Sequence, residues 1–183
     1  PVADQYPVDQ SSIWSLNNGI GADWLVGRLH PNSTGQTAVG NQGAHFTLAT
    51  TLPLILPPPN NPVLRLTGFG VDANDPAYWC AQQTATGPLT AYVNDYIEHL
   101  VESAGGASGA PMINEATGEV IGIHTHGGCA LAGYLNNHAQ SILTPGLQIA
   151  ISNTVGCSNQ YLASSTTGNS DPVTCDFQVF NGT

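Results

Sequence analysis

The residues best suited to chemistry stand in one short stretch. Ser108 follows Gly106-Ala107 and precedes Gly109-Ala110-Pro111, and glycine on both sides lets the backbone turn tightly beneath the hydroxyl. On such a turn the amides of Gly106 and Ser108 point the same way. Two convergent N–H groups of this kind stabilise the oxyanion of a tetrahedral acyl-transfer intermediate. Downstream, the apolar run at residues 120–123 predicts a buried strand that carries Gly122-Ile123-His124-Thr125-His126-Gly127-Gly128-Cys129 alongside the serine. Upstream, Asp23 heads the run Trp24-Leu25-Val26, where a carboxylate is costly to bury without a partner. A hydroxyl, an acid and a set of histidines are the parts from which an activated nucleophile is built.

The elements that must hold these residues read as β structure. The chain has 183 residues, with 21 Gly, 13 Pro and short β-branched runs, a composition suited to many strands joined by turns. Asn17-Asn18-Gly19 marks a turn within an opening surface loop, and residues 23–29 read as a strand. A polar loop at 31–43 and a second strand region at 44–56 follow, and then Pro57-Pro58-Pro59-Asn60 as a stiff extended connector. Residues 72–79 read as a loop. Residues 92–101 read as a strand leading into the serine loop, with a helix as the alternative, and 145–151 as a short helix or a strand. The polar end, 158–183, reads as an extended tail.

Charge excludes some partners. Lys and Arg total 2 against 12 Asp and Glu, and a net charge of −10 argues against nucleic acid or an anionic membrane surface. Four cysteines, Cys80, Cys129, Cys157 and Cys175, suit two disulfides and lack the spacing of a zinc cluster. Joining Cys129 to Cys157 would tie the strand after the serine to the C-terminal segment and leave Cys80 for Cys175; four cysteines allow three pairings and the sequence does not choose among them. Asn32 and Asn181 head glycosylation sequons. Together these features predict a secreted protein, present as a mature form or a fragment because no signal peptide opens the sequence. His124 and His126, two apart on a strand, are expected to face the same way, but no third metal ligand is evident, so neither a metal nor a cofactor is expected.

Gly106-Ala107-Ser108-Gly109-Ala110-Pro111 and Gly122-Ile123-His124 resemble the serine and cleft-strand motifs of the chymotrypsin (trypsin-like) serine peptidases. The resemblance implies an all-β fold of two β-barrels, with the first barrel incomplete in this chain. Residues 1–56 would be its remaining part, 57–157 the second barrel, and 158–183 a tail tied to the second barrel. Residues 62–70 resemble the strand and Gly-X-Gly turn that open the family's second barrel, and 82–88 resemble a strand and turn of its bacterial members. It implies Ser108 as nucleophile, Asp23 as the acid that orients a histidine, and Gly106 with Ser108 as the oxyanion hole. Ala107 replaces the acid that receives a freed N-terminus in animal members, so activation by that ion pair is not expected.

The family's histidine motif precedes the acid, and no histidine precedes Asp23. The expected partner is therefore the N-terminal chain of the same precursor, carrying the catalytic histidine, with a peptide or protein as substrate. His124, and Ser103 five residues before the serine, resemble the pocket of the family's glutamyl endopeptidases. They imply a preference for acidic side chains, with Thr125, His126 and Gly127 along the substrate cleft. The alternative is a non-catalytic relative that serves as a binding or structural module.

Overall fold

A computed structural model describes residues 5–71, 81–128 and 135–155. Its centre is a closed six-stranded antiparallel barrel built from β3 (Val63–Gly68), β4 (Gln83–Val93), β5 (Tyr96–His99), β6 (Pro111–Asn114), β7 (Val120–His126) and β8 (Asn137–Ser141). Around the barrel the strands run β3-β4-β5-β8-β7-β6. Leu64, Leu66, Leu89, Ile97, Met112, Ile121 and Ala139 fill its interior. A separate hairpin, β1 (Trp14–Asn17) with β2 (Asp23–Val26), lies ahead of the barrel in sequence. Among the described residues β1 pairs only with β2, and Trp14 and Leu16 stand 47% and 43% exposed on it.

A second apolar cluster fastens β2 to the barrel's outside. Trp24 and Val26 pack with Ile123, Ile142, Leu147, Ala150 and Ile151. The last three lie on α2 (Pro145–Val155) at the i, i+3, i+4 spacing that makes one helical stripe. Pro145 starts that helix, where a missing N–H costs nothing. A short helix, α1 (Ala38–Gln42), lies within the polar loop, opened by the Thr37 side chain and closed by Gly43.

Several sequence expectations change here. Residues 44–56 form no strand: a single parallel bridge joins Leu48 to Val120, while Ala49, Leu52 and Ile55 lie against the barrel core. Their apolar character reflects contact with the core, without the strand pairing expected. Residues 57–60 do not extend; the chain turns, with the Asn60 amide donating to the Pro57 carbonyl and a cis Pro58–Pro59 bond. Gly87-Pro88 is no turn either, since β4 runs through it, pairing β3 up to Pro88 and β5 from Leu89 on. Pro88 sits at the change of partner, where a missing amide is tolerated. Residues 92–101 are not one strand: Asn94, at φ 53, and Asp95 make a tight hairpin between β4 and β5. For 145–151, the helix is the alternative realised. The loop at 72–79, the four cysteines, Asn181 and the 158–183 tail lie outside the described residues.

Candidate active site

The serine loop is shaped by its glycines and by the strand beside it. Gly106 has φ 91, a left-handed conformation that glycine adopts without penalty, and Gly109 has φ 89. A β-carbon on Gly106 would stand 3.2 Å from the Phe69 carbonyl oxygen. The Gly109 amide donates to the His124 carbonyl at 2.8 Å, and the His124 amide donates to the Ala110 carbonyl at 2.9 Å. These two bonds hold the loop against β7. Ala107 is buried beneath it, whereas Gly106 and Ser108 are exposed. The Ser108 hydroxyl donates to the Thr125 carbonyl at 3.0 Å. Among the described residues the Gly106 amide donates to no backbone acceptor.

Asp23 reaches the same end of β7 from the other side. The β1–β2 hairpin and the Trp24 and Val26 anchors lay β2 on the outer face of the barrel. The Asp23 amide donates to the Gln140 carboxamide oxygen at 3.2 Å, and Gln140 pairs with Ile123 across β7 and β8. The Gln140 amide group in turn holds the Asp95 carbonyl and the Thr144 hydroxyl. Asp23 is 8% exposed. Burial pushes its carboxyl above the usual range, and the charge of His126 works in the opposite direction. Ser108, at Thr125, and Asp23, within electrostatic reach of His126, thus meet neighbouring residues of one strand end.

The expectation that His124 and His126 face the same way is overturned by a β-bulge. Across β8, His124 pairs with Ala139 and His126 with His138, so Thr125 is an extra residue. Opposed residues of an antiparallel pair share a face, and adjacent residues of β8 do not. His124 therefore points into the barrel with Ala139, and His126 points outward with His138. Periodicity could not reveal this, because a bulge shifts its phase by one. Among the described residues no group of three or more His, Cys, Asp or Glu is placed to hold a metal ion.

Inside the barrel, His124 is 2% and His99 0% exposed. Their rings meet edge to face, with His124 Nδ1 and His99 Nε2 3.3 Å apart. The Val101 amide donates to His99 Nδ1 at 3.2 Å, so that nitrogen is bare and the His99 proton is on Nε2. His99 then donates to His124 Nδ1, and the His124 proton falls on its own Nε2. The backbone of His138 is a further hydrogen-bonding partner of His124. Burial, and then the neighbouring imidazoles, push His99 down to about 3 and His124 down to about 4. Both rings are neutral at ordinary pH. The sequence did not single out His99; its place just before the pocket segment was the available signal.

The other site residues divide in two. Ser103 is half-buried and Glu102 is exposed, so Glu102 is not buried in the segment at 101–104. Thr125 is buried and its hydroxyl donates to the His138 carbonyl at 3.4 Å, while His126 is half-buried and Gly127 exposed. Asn32 lies elsewhere and is buried; its side-chain oxygen accepts from the Thr34 amide and hydroxyl and from the Gln36 amide, which folds the loop around it. His30 and His45 are exposed, and His138 is buried on the outer face, in edge contact with Tyr96.

A closed barrel, an open two-stranded sheet and few helices make this a chymotrypsin-like fold with one barrel present. The likeness is to a solved structure described as a Glu endopeptidase in complex with MPD, at a TM-score of 0.57 and 16% identity. The match covers 80% of this chain and 60% of that one, so the chain spans less than two thirds of its neighbour's length. No family model and no curated protein matches the sequence.

Proposed function

We propose that this chain is the serine-bearing C-terminal part of a secreted serine endopeptidase. Ser108 is the nucleophile, Asp23 the orienting acid, and the amides of Gly106 and Ser108 the oxyanion hole. A histidine from an N-terminal polypeptide of the same precursor takes the Ser108 proton as Oγ bonds to the substrate carbonyl carbon. That proton passes to the leaving amine as the C–N bond breaks, and water releases the acyl group by the reverse exchange. The observation that carries the reading is the meeting of Ser108 and Asp23 at neighbouring residues of the β7 end, beside a serine loop whose Gly106 amide donates to no backbone acceptor among the described residues.

An acidic side chain is the proposed preference, read by the pocket around His124 and Ser103. Glu102 is exposed beside half-buried Ser103, in keeping with a pocket lined by the serine and not by the acid. The solved neighbour's description as a Glu endopeptidase points the same way. The second reading is a non-catalytic module, in which the same barrel binds a partner without turnover.

One experiment separates the two. A fluorophosphonate applied to the assembled protein is expected to modify Ser108, and Ser108→Ala to abolish the modification. A peptide library should then show cleavage after Glu in preference to Lys, Arg or large apolar residues. Failure of the intact assembly to react would establish the non-catalytic module, and cleavage after basic residues would remove the acid preference alone.

A further inference from the structure

Asn137 begins β8, opposite His99 on β5, and its side chain spans a gap between two segments that no strand pairing joins. Its Nδ2 donates to the Val101 carbonyl at 2.6 Å, and its Oδ1 accepts from the Gly128 amide at 2.6 Å. Val101 opens the segment that carries Ser103, and Gly128 directly follows Thr125, His126 and Gly127. These are the two walls of the pocket proposed above, on which this inference rests. Val101 is fully buried, where an unmet carbonyl is expensive, so the bond is needed for the wall to stay where it is. On the other side, a β-carbon at Gly128 would lie 1.7 Å from the Asn136 carbonyl oxygen. That wall therefore runs directly against the start of β8, and no side chain intervenes.

The two bonds belong to a longer circuit. From Gly128 it passes through Asn137 to the Val101 carbonyl, from the Val101 amide to His99, and from His99 back to His124 on β7. Each member has one role available: the Asn137 carboxamide donates on one side and accepts on the other, and His99 accepts from the main chain and donates to His124. We propose that Asn137 is the specificity-positioning residue of this pocket, fixing the distance between its walls and holding the segment that sets the His99–His124 proton arrangement. Among the described residues its side chain bonds to neither the serine nor the oxyanion amides, so its loss should alter which side chain is accepted while leaving serine reactivity in place.

The test uses the assembled enzyme and two variants. Asn137→Ala removes both bonds. Asn137→Asp keeps the size and the acceptor for Gly128 but turns a carboxylate oxygen toward the Val101 carbonyl, and it serves should the alanine variant not fold. The expected result is a loss of about tenfold in kcat/KM selectivity for the preferred side chain, carried mainly by KM, from a pocket hydrogen-bond arrangement of ordinary strength. Fluorophosphonate reaction at Ser108, which does not use the side-chain pocket, should stay within about twofold of the parent rate. Selectivity unchanged in both variants overturns the inference. So does parallel loss of serine reactivity and cleavage, which would mean a general structural role. A parent enzyme that does not react at Ser108 refutes the peptidase reading itself and removes this inference with it, an outcome distinct from the other two.

Discussion

Acidification from pH 7.5 to 5.0 should cost this protein about 4 kcal/mol of folding stability through His99 and His124 alone. Both rings have folded pKa values far below the ordinary 6.5, at about 3 and about 4. For a base whose folded pKa is depressed, the unfolded chain binds the proton first. Stability is then fully present above pH 6.5 and is lost as pH falls toward the folded values. At pH 5.0 each unfolded histidine is 1.5 pH units below its pKa, worth about 2 kcal/mol per ring at 1.36 kcal/mol per unit. That figure depends only on both folded values lying well below 5. The cause is geometric as well as dielectric, because protonating His99 would set an N–H against the Val101 N–H that its Nδ1 now accepts. His138, lowered by burial against the opposing charge of Glu98, acts in the same direction. Asp23, raised by burial, acts oppositely and only at the acid end. Urea unfolding at pH 7.5, 6.5, 5.5 and 5.0 measures the slope, and His99→Gln should remove about half of the pair's share. A change below about 1 kcal/mol, or an undiminished slope in the variant, would refute the argument.

Two glycine substitutions should separate packing from chemistry. A β-carbon at Gly87 would stand 2.6 Å from the Leu100 carbonyl oxygen and 2.8 Å from the Val101 α-carbon, all main chain, so Gly87→Ala should destabilise by about 1–3 kcal/mol. Gly105→Ala, with nothing within 4 Å, is the control and should leave the urea midpoint nearly unchanged. Gly106→Ala should also cost about 1–3 kcal/mol, from its left-handed φ and the approach to the Phe69 carbonyl, and in addition slow fluorophosphonate reaction about a hundredfold, since it displaces an oxyanion donor. Stopped reaction kinetics and a melting curve on the same sample distinguish the two effects.

What the sequence made legible is what depends on local chemistry. Glycines around Ser108, an acid at the head of an apolar run and a β-rich composition each act through near neighbours. The serine loop and the β character follow from them, while the barrel is implied by the resemblance of the serine and cleft-strand motifs. What escaped depends on distant partners. Residues 44–56 look strand-like because they touch the core, yet that contact is made by an irregular segment. Gly87-Pro88 looks like a turn because the sequence does not reveal that β4 exchanges β3 for β5 at that point. The bulge at Thr125 reverses the expected relation of His124 and His126, and Asn137 carries no motif. The bulge is set by the register of β7 against β8, and the role of Asn137 by its side-chain bonds to Val101 and Gly128.

The outer strand of the β1–β2 hairpin, which among the described residues pairs only with β2, bears on how salt should act on this molecule. Trp14 and Leu16 offer apolar surface beside main-chain groups, and no charge lies in β1. The two arginines are already matched, Arg28 with Asp9 and Arg65 with Glu115, while the chain as a whole carries −10. Anything that adds a strand there gains by removing apolar area from water and works against the repulsion of a like-charged partner. Screening shortens the reach of that repulsion to about 8 Å at physiological ionic strength and leaves the apolar gain intact. Moderate salt should therefore tighten association at this edge, the reverse of an interface steered by opposite charges.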